Sequence, residues 1–239
     1  MANMTNEMID PRILLTIRAL TVSVDPANPD QRILLSAATI IRQGGVVAHP
    51  TETVYGLAAD PFSAEAVAKL ESIKQRMAPR PLILLIAQAG NAYDVARLSG
   101  SARQWYDALT RAFWPGPLTL VLPMKHRLKC PALAGGESVA VRVSSHPVAL
   151  RLMQTTGRPI TSTSANVTGG APAVTAQEID PAVAHRLGLI LDGGRTAGAP
   201  VSTILDLTRQ RPTLLRAGAV SSEQITRVLG FAPRSLVAA

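Results

Sequence analysis

The chain has 239 residues, carries 24 Lys+Arg against 16 Asp+Glu for a formal charge of +8, and is 47% hydrophobic but only 3% aromatic. It is too apolar and too dilute in charge for a disordered chain, and no apolar run reaches the roughly 18 residues of a membrane-spanning helix. So few aromatic rings also argue against a base-stacking platform for single-stranded nucleic acid. The lone Cys130 can form neither an internal disulfide nor a thiolate metal site. The polar start MANMTNEMID contains no apolar signal core, so a cytoplasmic protein is expected. Residues 1–120 hold 11 basic and 10 acidic side chains, whereas residues 121–239 hold 13 and 6. That excess suggests a polyanionic partner such as a nucleotide, RNA or an anionic surface.

In chain order, ILLTIRALTVSV fits a strand or an extra helix equally well. Ile33 to Arg42 has helical apolar spacing and is stopped by Gly44 and Gly45. VVAH (46–49) reads as a buried strand, followed by PTETVYGLAADP as a polar loop. Ser63 is placed to N-cap a helix reaching Lys74, with Val67, Leu70 and Ile73 on one face. The basic, proline-broken KQRMAPRP leads into the strand LILLIA (82–87). Ser101 and Gln104 match a capping box for a helix to Phe113. The WPGP turn then precedes the strand LTLVLP (118–123), and SVAVRV (138–143) alternates as a strand with one polar face. Pro147 suits the first turn of a helix ending near Gly157. PITSTSAN reads as a strand entering a polar loop, 176–187 as a helix, and LILD, VSTILDL and PTLLRAG as strands. A second capping box, Ser221 with Gln224, opens a last short helix, and the tail APRSLVAA is expected to be loose. About eight strands interleaved with six helices predict an α/β (α+β) fold of helices on a mixed sheet.

Several chemistries lack their motifs. There is no Walker P-loop, GGRTAG (193–198) lacks dinucleotide-binding spacing, and no G-x-S-x-G elbow exists. The four histidines, His49, His126, His146 and His185, lack metal-site spacing, so no protein-ligated metal is expected. Hydroxyl, amine and guanidinium groups remain. Lys74 and Arg76 combine a point charge with a planar fork, which suits phosphates. Ser162, Thr163, Ser164 and Asn166 offer neutral donors at a strand end, where open α/β sheets place ligands. Arg142 stands in an apolar strand, where a charge must be paired or bind an anion. It either recognises a carboxylate ligand or pairs with Glu137 or another acidic side chain.

Taken in order, PTETVYGL (50–57), Lys74-x-Arg76, WPGPLT (114–119), VAVRV (139–143) and Ser164-x-Asn166 resemble the YrdC-like family of L-threonylcarbamoyladenylate synthases. The resemblance spans roughly residues 25–230 and is to the short, single-domain form. It implies a twisted, open mixed sheet flanked by helices around a large basic cavity. Residues 26–231 would form that domain, after an N-terminal extension (1–25) and before a loose tail (232–239). The implied reaction joins L-threonine, bicarbonate and ATP into threonylcarbamoyl-AMP and pyrophosphate, with Mg²⁺ held mainly by ATP phosphates. The product would serve N6-threonylcarbamoyl modification of adenosine 37 in tRNA, completed by a threonylcarbamoyl transferase complex.

The resemblance also assigns roles. Thr51, Arg142, Ser162 and Ser202 would bind threonine, with Arg142 on its carboxylate. Lys74 and Arg76 would engage the triphosphate and form the catalytic pair. Thr119, Ser164, Asn166 and Arg216 would contact ATP, and Tyr55 and Leu57 would shape the pocket wall. Two positions depart from the family pattern: Met77 follows Arg76 where proline is usual, and Val201 precedes Ser202 where glutamate is usual. The principal alternative is a paralogue of the same fold that binds double-stranded RNA or tRNA without making the adenylate. Retention of both K-x-R and S-x-N favours the enzyme. A carbamoyl-transfer domain of hydrogenase maturation would bring Cys-rich segments that this sequence lacks.

Overall fold

The computed structural model describes residues 20–198 and 200–236. Its strands form two mixed sheets. The first runs in the order β1 (Leu20–Ser23), β9 (Leu189–Asp192), β2 (Val47–His49), β3 (Gly56–Ala58) and β8 (Thr163–Ser164). Its first three members are parallel, and the last two continue antiparallel. The second runs β12 (Arg234–Ser235), β11 (Thr213–Arg216), β10 (Thr203–Asp206), β5 (Leu118–Pro123), β6 (Ser138–Arg142), β4 (Ile83–Leu85) and β7 (Ile160–Thr161). β1 lies within the ambiguous N-terminal stretch, and β12 within the stretch expected to be loose. Residues 13–19 of ILLTIRALTVSV precede the described residues.

Local chemistry explains the helices. Asp30 caps α1 (Gln31–Arg42) by accepting from the Arg32 N–H, and Ser63 caps α2 (Ala64–Ile73) by accepting from Ala66. Further helices are α3 (Ala92–Val95), α4 (Gly100–Phe113), α5 (Pro147–Thr156), α6 (Pro181–Ala184) and α7 (Ser222–Leu229). The Ser221–Gln224 capping box of α7 forms as expected. α1 and α5 bury Leu34, Ala37, Ile41, Val148 and Leu152 in one cluster with Val47 and Leu191 of the first sheet. α2 and α4 bury Val67, Leu70, Ile73, Tyr106 and Leu109 in a second cluster with the second sheet. Each fully buried side chain of this size contributes about 1.5–3 kcal/mol.

The structure corrects four expectations. The PTETVYGLAADP loop contains β3, and Val54 to Asp60 are buried. Ser101 and Gln104 form no capping box: α4 starts two residues earlier, after Ser99, which makes no side-chain cap. The 176–187 helix is broken into a 3-10 turn (Ala176–Glu178) and α6, because Asp180 and Pro181 restart the helix. PITSTSAN is divided at Ser162: β7 pairs with β4 in one sheet, and β8 pairs with β3 in the other. Twelve strands and seven α-helices therefore occur among the described residues, the added strands being two to four residues long.

This topology prepares a site. In the second sheet Leu118 pairs with Thr203, Arg216 with Ile204, and Leu120 with Val141. The starts of β5 and β10 and the ends of β6 and β11 therefore meet at one edge. The chain crosses between the sheets at Ser162, which lines the same cleft as Arg142 and Arg216.

Candidate active site

Arg142 ends β6 and is only 5% exposed. Its Nη2 stands 2.6 Å from Oε1 of Glu52. Glu52 therefore occupies Nη2, while the buried Nε of the same guanidinium has no acceptor. Those two donors make one edge of the guanidinium, the edge that matches the two oxygens of a carboxylate. Arg142 is thus paired, with an acidic residue other than Glu137, and still has its Nε donor unsatisfied. Burial pushes the Glu52 carboxyl pKa up, but Arg142 and Ser144 outweigh burial and hold it below the ordinary value.

Arg216 ends β11 and faces the same cleft. Its Nε and Nη2 donate to the Ser202 carbonyl at 3.0 and 2.8 Å, and Nη2 also reaches Ser202 Oγ at 2.9 Å. Ser202 Oγ lies 2.9 Å from Thr119 Oγ1. This approach requires Gly218, where a Cβ would collide with the Val201 carbonyl oxygen. Burial, and then the like charge of Arg142, lower the Arg216 pKa. An anion between the two guanidiniums would relieve that repulsion.

The Thr51–Gly56 loop forms the adjoining wall. Thr51 Oγ1 donates to the Val54 carbonyl at 2.7 Å and accepts from the Thr53 and Val54 N–H groups. Its hydroxyl is therefore already used to shape the loop. The Tyr55 hydroxyl donates to the Gly194 carbonyl at 2.8 Å, and burial followed by the Asp192 charge keeps it a phenol by raising its pKa. Gly56 leaves needed room: a Cβ there would lie 3.0 Å from Ser162 Oγ and 3.2 Å from His49 Nε2. His49 is fully buried, and burial pulls its pKa down to about 4, so the ring is neutral at pH 7.

The remaining wall follows α2. Lys74 points inward, not into the proline-rich turn. Its Nζ donates to the carbonyls of Ser164 and Asn166 at 2.6 and 2.7 Å, while Thr168 bonds back to the Lys74 carbonyl through both N–H and hydroxyl. Burial and then the Arg76 charge pull the ammonium pKa down to about 8, against an opposing pull from Glu71. Arg76 lines the cleft and pairs with Glu71 at 2.9 Å. Gln75, between them, adopts a left-handed φ of 51°. Met77 is fully exposed beyond it, and Val201 lies on the cleft wall.

Eight of the sequence-derived residues line this one cleft: Thr51, Tyr55, Arg76, Arg142, Ser162, Ser164, Ser202 and Arg216. Four stand behind its wall. Lys74 supports the S-x-N segment, Thr119 supports Ser202, and Leu57 is core. The Asn166 amide donates to Val167 and Gly170 carbonyls, leaving its buried Oδ1 without a partner. Sequence reasoning missed Glu52, Glu71 and the geometry at Gln75. Glu52 had one available signal: a buried arginine in an apolar strand demands a carboxylate, and PTETVYGL contains one.

The Sua5/YciO/YrdC family model, described as "Telomere recombination", matches residues 39–218, and the chain belongs to that family. It is 39% identical over 207 residues to threonylcarbamoyl-AMP synthase of Bacillus subtilis, covering 86% of this chain and 59% of that protein. The fold matches Pyrococcus abyssi Sua5 complexed with L-threonine at a TM-score of 0.83 and 36% identity, covering 91% of this chain and 62% of that one. It matches Escherichia coli YciO at a TM-score of 0.76 and 25% identity, covering 87% of this chain and 99% of that one. The chain thus spans less than two thirds of the length of the first two of these relatives.

Proposed function

We propose that this cleft makes threonylcarbamoyl-AMP from L-threonine, bicarbonate and ATP, releasing pyrophosphate. The carrying observation is the buried Arg142, with its Nε donor unsatisfied on the Nε–Nη2 edge, beside Arg216 and the Ser162 hydroxyl. A carboxylate is the ligand that edge fits. The names of the relatives, with their identity over most of this chain, support the same reading.

In this proposal Arg142 takes the threonine carboxylate, with Ser162 and Ser202 beside it. The threonine amine and bicarbonate give a carbamate with loss of water, and a carbamate oxygen then attacks the α-phosphorus, with pyrophosphate leaving. The substrates supply the nucleophile, so the protein's work is placement and charge stabilisation. Arg76 and Ser164 meet the nucleotide directly, and Arg216 lies between the two halves. Lys74 and Asn166 hold the segment that carries Ser164.

No cluster of three or more His, Cys, Asp or Glu suited to a metal occurs among the described residues. The cleft's nearby carboxylates, Glu52 and Glu71, are held by arginines. The residues therefore do not fit a resident cation, and Mg²⁺ enters the proposal as the companion of ATP, held mainly by phosphate oxygens. The product would pass to a threonylcarbamoyl transferase complex acting on tRNA, in the cytoplasm. No helix among the described residues is long and apolar enough to cross a membrane.

The test is pyrophosphate release from ATP, Mg²⁺ and bicarbonate, with and without L-threonine and with serine as control. Threonine-dependent release, with the adenylate detected by mass spectrometry, is expected. Absent or threonine-independent release contradicts the proposal.

A further inference from the structure

We propose that Glu52 and Ser144 form a support that aims Arg142 at the substrate carboxylate, which makes both of them positioning residues. The inference rests on the amino-acid reading of the cleft. Glu52 and Ser144 do not line that cleft. They stand behind Arg142, in a chain whose hydrogen bonds run one way. The His146 N–H donates to Ser144 Oγ at 3.2 Å, and the Ser144 hydroxyl donates to Glu52 Oε2 at 2.5 Å. Glu52 Oε1 then meets Arg142 Nη2 at 2.6 Å.

Three separate segments are joined this way: the β2–β3 loop, the end of β6, and the start of α5, for which His146 is the N-cap. The Ser144 proton is committed to Glu52, because its oxygen already accepts from a backbone N–H fixed by the helix start. Glu52 in turn sits in the loop that Thr51 clasps. The pair is well shielded, with Arg142 and Glu52 side chains 7% and 15% exposed.

The form of the contact matters as much as its presence. A carboxylate forked onto Arg142 would satisfy both donors of one edge and leave nothing for a ligand there. Glu52 makes a single contact at Nη2, so it holds the guanidinium while Nε remains without an acceptor. An arginine side chain has many rotamers, and ordering it on binding weakens affinity. The support orders it in advance.

The experiment titrates the whole protein with L-threonine and, separately, with ATP by calorimetry, for wild type, Glu52→Gln and Ser144→Ala. Unfolding midpoints are measured alongside. Glu52→Gln should weaken L-threonine binding by about tenfold or more, and Ser144→Ala by about threefold to tenfold, the effects of losing a charged and a neutral hydrogen-bonding partner. ATP affinity should stay within about twofold of wild type. Ser144→Ala keeps every charge and serves if Glu52→Gln does not fold. Unchanged threonine affinity in a folded variant overturns the support, as does an equal loss of both ligands, which marks a general structural role. Wild-type protein that binds no L-threonine overturns the amino-acid reading and the support with it.

Discussion

The two ends of the cleft are built in different ways. At the Arg142–Arg216 end, the polar side chains sit on strand ends and are locked by neighbours. Arg216 is forked onto Ser202, Ser202 contacts Thr119, and Arg142 is braced by Glu52. At the Lys74–Pro81 end, a loop leaves a helix through a left-handed Gln75, and Met77 stands free in solvent. The inward Lys74, the Thr168 bonds to its carbonyl and the Arg76–Glu71 pair fasten that loop near the helix. On the proposed function, the contrast separates a preorganised pocket for a small zwitterion from a more yielding rim for a larger polyanion. Tight placement suits the smaller ligand because it has few atoms with which to offset ordering.

The sharpest way to break the built end is Arg142→Ala. It leaves Glu52 buried without its cation, so denaturant unfolding should show a loss of about 3–5 kcal/mol, together with loss of threonine binding. Little change in either would place the strength of this end elsewhere. His49 belongs to the same end and gives the next largest effect. Its folded pKa of about 4 lies below the ordinary 6.5, so the unfolded chain binds its proton first as pH falls. Stability present above pH 6.5 should decline by about 3 kcal/mol between pH 6.5 and 4. Equilibrium unfolding across that window should show the decline, and His49→Leu should remove that part of it.

The looser end is probed by Lys74→Met, which strands two carbonyl oxygens and frees the S-x-N segment. Pyrophosphate formation should drop about tenfold or more, with the ATP requirement rising and the threonine requirement little changed. Equal effects on both substrates would erase the distinction between the ends. The smallest effect is at Gln75. Glycine accepts φ of 51° without the side-chain clash, so Gln75→Gly should raise stability by a few tenths to about 1 kcal/mol, glycine's own entropy offsetting part of the gain. A destabilised variant would show that the Gln75 side chain itself supports the rim.

Much of this arrangement was legible in the sequence where the signal was local. The caps at Ser63 and Ser221, the apolar face of α2 and the Pro147 helix start all depend on residues a few positions apart. The motifs also brought eight residues to one cleft. What could not be read depends on partners far along the chain. Lys74 meets carbonyl oxygens at 164 and 166, which no side-chain pattern reports. Strands as short as β7 and β8 have too few residues for a period of two to appear, so their division between sheets at Ser162 was hidden. Ser101 and Gln104 had the right types for a cap, but α4 had already begun at Gly100.

The most direct measurement is a crossed titration of two conservative variants, Arg142→Lys and Arg76→Lys, each with L-threonine and with ATP. Lysine keeps the charge and loses the planar fork. The account predicts that Arg142→Lys weakens threonine binding by about tenfold while sparing ATP, and that Arg76→Lys weakens ATP while sparing threonine. Either variant weakening both ligands alike would contradict a cleft with two separately built ends.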